Sequence, residues 1–147
     1  MYDCILVATD DSRLARKAEK SAIDLAAATG ARLVVLHVVP DYPMSHFDGM
    51  VAIPPQEVAR IEGRVHAGGQ AVLDRVVQVA ARQGVQARGV LAQSDHVADA
   101  VLRAARKHRC DLIVLASHGR RGLQRLLLGS ETHKVLAGSP LPVLVLR

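Results

Sequence analysis

Apolar and polar positions along this chain follow two alternating rhythms. Cys4–Thr9 is a continuous apolar run, as expected of a central parallel strand covered on both faces. From Arg13 to Thr29 the apolar positions Leu14, Ala18, Ala22, Leu25 and Ala26 recur at helical spacing, with Ser12 as cap and Gly30 as stop. Arg32–Val39 reads as a second strand, ended by Pro40. Asp41–Pro54 has no clear period and reads as a long loop. Pro55 suits the first turn of a helix running to about Gln83, with Gly84 ending it. Gly63, Gly68 and Gly69 each weaken that helix by about 1 kcal/mol relative to Ala. Val85–Ala92 is a third strand. Asp95 caps a helix from His96 to His108 that buries Val97, Ala100, Val101 and Ala104. Asp111–Ala116 and Val143–Leu146 are the last two strands, with helix Glu131–Ala137 between them. Pro142 stands at the start of the final strand, because proline cannot donate within a ladder.

The sum is βαβαβαβαβ within one domain spanning residues 1–147. Strands separated by helices form a parallel sheet with right-handed crossovers and helices on both faces. Ligands in such α/β sheets sit beyond the carboxyl ends of the strands, where strand order reverses. The ends of strands one and four are the natural site, and Asp10 and the Ser117–Gly119 turn occupy them.

The segment LIVLASHGRRGLQRLLLGS, Leu112 to Ser130, sharpens this picture. A strand stops at a glycine-marked turn, and after a nine-residue spacer Gly129-Ser130 opens a helix. Glycines let backbone N–H groups approach a ligand closely. A helix N-terminus adds unsatisfied donors and the positive end of its dipole. Together they suit a phosphate group; a plain strand–helix connection carrying two glycines is the other reading.

Half of the residues are apolar, but aromatics make up only 2%, so Val, Leu, Ile and Ala must build the core. A formal charge of +5 suits an anionic partner. The arginines are scattered and no basic stretch is interleaved with aromatics, which disfavours nucleic acid and leaves a nucleotide-sized anion. No apolar run approaches the roughly 20 residues needed to cross a bilayer, and none resembles a secretory leader. Cys4 and Cys110 open predicted strands and read as buried free thiols in a reducing cytoplasm, not as a disulfide or metal framework.

The chain resembles the universal stress protein family over nearly its full length. ILVATDDS (Ile5–Ser12) matches the family's opening strand, LHVV (Leu36–Val39) its second, and ASHGRRGLQRLLLGSETHKVL with SPLPVLVLR its C-terminal part. The ATP-binding branch carries Gly, two residues, Gly, nine residues, then Gly-Ser or Gly-Thr. Gly119, the spacer and Gly129-Ser130 reproduce the later parts.

Two departures bear on the ligand. Ala116 replaces the first glycine; its methyl is tolerated where φ stays below zero. Glu131 stands where the pattern is usually neutral. A carboxylate about 6 Å from a phosphate charge costs about 1.4 kcal/mol at a dielectric of about 40. Turned to solvent, it would instead favour the helix dipole. Arg120, Arg121 and Arg125 supply compensating charge, or form a solvated loop face.

The resemblance implies a sheet order of 3-2-1-4-5 and an adenine nucleotide, ATP or AMP. Asp10 would lie by ribose or adenine, Ala8 and Thr9 would line the same pocket, and Val38 would offer its backbone to adenine. Ala116, His118, Gly119 and Arg120 would meet ribose and phosphate, and Gly129, Ser130 and the Glu131 N–H the remaining phosphates. Each has a plainer role: Asp10 as a turn cap, Ser130 as an N-cap, His118 as a surface residue. The resemblance also implies a homodimer paired through Val143–Leu146. The apolar residues Tyr42, Met44, Phe47 and Met50 in the long loop suit a mobile lid or a dimer contact.

His37 reads as a satisfied core histidine. His96, His108 and His133 lack metal-ligand spacing, so no metal is expected. No nucleophile elbow or Walker sequence is present. Three readings stand: a nucleotide-binding stress-response module acting through a protein partner; a nucleotide-independent dimer whose site Ala116 and Glu131 have closed; and a slow ATP hydrolase.

Overall fold

The computed structural model describes residues 1–41, 53–119 and 128–147. The lid expectation for Tyr42, Met44, Phe47 and Met50, and the charges of Arg120, Arg121 and Arg125, lie outside the described residues. The elements run β1 Cys4–Ala8, α1 Arg13–Thr29, β2 Arg32–Val39, α2 Pro55–Arg82, β3 Ala87–Gln93, α3 Val97–Lys107, β4 Leu112–Ala116, α4 Ser130–Gly138 and β5 Val143–Leu146.

All four strand pairs are parallel, and the sheet order is β3-β2-β1-β4-β5. β1 is central. Its odd residues Ile5 and Val7 pack with Leu33, Val35 and Val114 against α1 and α2, through Ala18, Ala22, Leu73 and Val76. Its even residues Cys4 and Leu6 pack with Val34, Leu36 and Ile113 against α3 and α4, through Val101, Ala105 and Val135. The near-absence of aromatics is met by two thin aliphatic layers, one on each face.

Capping explains why α1 begins and ends where the pattern placed it. Ser12 accepts a hydrogen bond from the Ala15 N–H at 3.2 Å, and Gly30 closes the helix at φ 74°. The third strand starts two residues later than the pattern suggested. Val85 belongs to the exit of α2: its N–H donates to Ala80 O and the Gly84 N–H to Ala81 O, with Gly84 at φ 73°. That is a Schellman ending, and Val85 is the buried residue that accompanies it.

The start of α3 also differs from expectation. Asp95 does not cap it; its carboxylate accepts from the Asp41 N–H at 3.0 Å. His96 is the N-cap and makes no side-chain cap bond. Val97 is 37% exposed, and Ala98 and Ala105 share the buried face with Ala100, Val101 and Ala104. At the strand starts, the Asp111 carboxylate accepts from the N–H groups of Asp3 and Cys4, tying β4 to β1.

Cys4 and Cys110 are free, buried and 3.2 Å apart between sulfurs at the amino end of the sheet. Burial and the Cys4 contact push the Cys110 thiol far up, so it stays protonated at neutral pH. Among the described residues, no helix is long and apolar enough to cross a membrane.

The glycines of α2 have unequal roles. A Cβ at position 69 would meet Leu91 Cδ1 at 2.7 Å and His37 Cδ2 at 2.9 Å, whereas one at position 68 meets nothing within 4 Å. Gly69 is the point of close approach between α2 and the sheet. Gly69→Val is expected to lower unfolding free energy by about 2 kcal/mol through overpacking. Gly68→Ala is expected to raise it by about 0.5–1 kcal/mol. Urea denaturation of the two variants beside the parent checks both signs.

Candidate functional site

The carboxyl ends of β1 and β4 are neighbours in the sheet, and the turns leaving them meet. Asp10 Oδ1 accepts the Ser12 N–H at 3.0 Å, which folds the side chain back over its own turn. Its Oδ2 lies where a side chain at 119 would go: a Cβ on Gly119 would stand 2.5 Å from it. A side chain at 119 would therefore displace the Asp10 carboxylate.

The second glycine is held by the first turn. The Gly129 N–H donates to Ser117 O at 2.7 Å, and a Cβ at 129 would come within 3.3 Å of Ser117 O and His118 Cα. Ser117 itself donates its N–H to Leu146 O, and Thr132 Oγ1 donates to Ala116 O at 2.9 Å. β4, β5 and the start of α4 thus converge on residues 116–119. Gly129, not Ser130, is the N-cap of α4, and a glycine has no side chain to cap with. The first-turn N–H groups of Ser130 and Glu131 have no intrahelical acceptor.

Ala116 is half-buried, and its φ is not positive; among the described residues only Asp11 and Arg109 are non-glycine residues with positive φ. A methyl at this position is therefore unstrained. Glu131 turns its carboxylate to a neighbouring helix: Oε2 accepts the Ala98 N–H of α3 at 2.9 Å, and Lys134 donates to Oε1 at 3.0 Å. The cap missing from α3 comes from α4. Burial raises the Glu131 carboxyl, but the bonds from Lys134 and Ala98 and the charges of Lys134 and His96 outweigh it, so its pKa lies below the ordinary value.

Ala8 and Val38 lie together on the α3–α4 face of the sheet. Thr9 does not join them. Its hydroxyl donates to Glu19 Oε1 at 2.5 Å and accepts the Asp11 N–H, which places it on the α1–α2 side. His118 Nδ1 is 3.1 Å from Ser117 Oγ. His37 Nδ1 is bonded to Thr9 O at 2.8 Å. Arg120 lies outside the described residues. Asp10, Ala116, His118, Gly119, Gly129 and Ser130 are thus brought to one end of the sheet, with Ala8 and Val38 along its α3–α4 face. Among the described residues, no group of three or more His, Cys, Asp or Glu side chains is placed to hold a metal ion.

A polar cluster beneath the site was not anticipated from the sequence. Arg75 of α2 donates to both oxygens of Glu19, each at 3.0 Å, and to Asp11 Oδ1 at 2.9 Å. Arg16 also reaches Asp11 Oδ1, at 3.1 Å. Glu19 is only 4% exposed. Its signal was present: a glutamate inside the Ala15–Ala18–Ala22–Ala26 buried stripe of α1 needs a cationic partner.

A model of the universal stress protein family matches residues 1–147. Universal stress protein YxiE of Bacillus subtilis (strain 168) is 35% identical over 149 residues, covering 100% of both chains. A solved structure of a protein from the universal stress protein family from Burkholderia pseudomallei aligns with a TM-score of 0.75 at 30% identity, over 98% of this chain and 95% of that one. The universal stress protein from Archaeoglobus fulgidus in complex with dAMP shares the fold at 18% identity and a TM-score of 0.67, over 99% and 98% of the two chains.

The Glu131 contact has a pH signature. Its folded-state pKa is depressed, so its stabilisation is fully present above the unfolded-state value and is lost as pH falls through the folded-state value. Glu131→Gln is expected to cost about 0.5 kcal/mol at neutral pH, as for a surface charge at a helix N-terminus. The difference from the parent should vanish in acid. Paired urea titrations at pH 7 and pH 3 measure it.

Proposed function

The chain belongs to the universal stress protein family, and from that premise we propose that it binds an adenine nucleotide, ATP or AMP, beyond the ends of β1 and β4. The observation that carries this is the packing of the Asp10 carboxylate on Gly119, with Gly129 fastened to Ser117 alongside. That arrangement leaves a glycine-lined backbone and the N-terminus of α4 facing one end of the sheet, which is chemistry suited to phosphate. The dAMP complex of the Archaeoglobus fulgidus protein, which shares this fold, supports an adenine nucleotide as the ligand class.

In this reading Asp10 meets the ribose or the base, and Val38 offers its backbone to adenine beside Ala8. His118 and Gly119 meet ribose and phosphate beside Ala116, and Arg120 lies next in the chain. The Gly129 N–H already donates to Ser117 O, so the phosphate donors are the N–H groups of Ser130 and Glu131. Thr9 contributes through its backbone, because its hydroxyl is engaged by Glu19. Two observations weigh against a closed site: Ala116 is unstrained, and the Glu131 carboxylate is bound to α3 and Lys134.

Binding is proposed to act through a protein partner in the cytoplasm, where a buried pair of free thiols is at home. The assembly is a homodimer paired through the edge strand β5, Val143–Leu146, whose apolar residues stay partly exposed on one chain.

ATP or AMP at one hundred times its dissociation constant should stabilise the parent by about 2.7 kcal/mol. Gly129→Asp should remove that shift and leave a dimer. Val145→Lys should yield monomers that still respond to nucleotide. Thermal melts with and without nucleotide, beside sedimentation of each variant, check this. An unshifted parent, or the reverse pattern in the two variants, contradicts the assignment.

A further inference from the structure

We propose that Arg75 of α2 is a positioning residue for the nucleotide site: it holds Asp11 in a left-handed conformation and so fixes the Asp10 carboxylate against Gly119. This rests on the nucleotide-binding reading above.

The turn after β1 contains an unusual residue. Asp11 has φ 61°, in the left-handed region, which Asp enters more readily than most non-glycine residues but still at some cost. Three contacts hold Asp11 in this conformation in our reading. Arg75 Nη2 donates to Asp11 Oδ1 at 2.9 Å, Arg16 reaches the same oxygen, and the Asp11 N–H donates to Thr9 Oγ1 at 3.1 Å. Arg75 is itself locked. Its fork grips both oxygens of Glu19, which is buried and also takes the Thr9 hydroxyl. A planar guanidinium can make these contacts at once; a lysine ammonium cannot reproduce that fork.

The turn transmits the constraint. Asp10 precedes Asp11, and its Oδ1 takes the N–H of Ser12, which follows Asp11. Rotating Asp11 out of the left-handed region moves Ser12 relative to Asp10 and breaks that bond. The Asp10 carboxylate then loses one of the anchors that set it beside Gly119. Arg75 does this from the α1–α2 side of the sheet, while Ala8 and Val38 pack on the α3–α4 side. The charges in the cluster balance, with Arg16 and Arg75 facing Asp11 and Glu19. Its influence is therefore conformational, not a long-range field on the ligand.

A double-mutant cycle tests the role, with AMP as the probe in calorimetric titrations. Arg75→Met alone leaves Glu19 buried without its partner, so Glu19→Gln is combined with it to keep the chain folded. The pair Glu19→Gln/Arg75→Met is expected to weaken AMP binding about tenfold. In an Asp10→Asn background the same pair is expected to change affinity less than twofold, because the carboxylate it positions is gone. A loss of folding alone would not disappear on changing Asp10. Equal penalties in the two backgrounds, or no penalty in either, overturn the positioning role and leave the nucleotide reading standing. A parent chain that binds neither AMP nor ATP overturns the nucleotide reading and this role with it.

Discussion

A carboxylate and a backbone share one small volume at the end of this sheet, and the candidate site depends on that contact. Asp10 leaves the central strand, and Gly119 leaves its neighbour; the Asp10 oxygen occupies the place of a side chain at 119. β1 is flanked by β2 on one side and β4 on the other, so the chain turns outward in opposite directions from this line. Only there do two crossovers diverge and leave a crevice. The topology sets this line of the sheet apart, and Asp10 packs on Gly119 along it.

Long-range polar contacts tie neighbouring elements together. Glu131 of α4 caps α3, Asp111 before β4 ties down the start of β1, and Arg75 of α2 grips the turn into α1. Each joins elements that the aliphatic core, being non-directional, would leave free to shift against one another. The core supplies cohesion through two thin layers of Val, Leu, Ile and Ala. The polar contacts supply register, Arg75 and Glu131 at the carboxyl end of the sheet and Asp111 at its amino end. Glu131 illustrates the division: its carboxylate orders α3 while its own N–H remains at the first turn of α4.

Periodicity and punctuation in the sequence were sufficient for most of the fold. Ser12 and Gly30 bracket α1 because capping is local, and Pro55 starts α2 for the same reason. The misplaced boundary at Val85 arose because a Schellman ending and a strand start are both apolar after a glycine. Asp95 looked like a cap because local sequence cannot reveal the Glu131 carboxylate, 33 residues beyond Ala98. The glycines 119 and 129 could be read as a ligand motif from spacing, but not what each packs against. Glu19 and Arg75 lie 56 residues apart. Only the oddity of a glutamate on an alanine stripe hinted at a partner, and nothing local identified it.

A nucleotide bound at the carboxyl end of the sheet, above the Asp10–Gly119 contact, would shift the amides around it. Amide chemical-shift mapping of the isotope-labelled chain during titration with ATP tests this binding most directly. Perturbations are expected to concentrate at Ala8, Asp10, Val38, His118, Gly119, Ser130 and Glu131, with Arg32, Gly84 and Cys110 at the opposite end unmoved. Amides that stay unmoved at millimolar ATP, or shifts gathered around Arg32, Gly84 and Cys110, would contradict it.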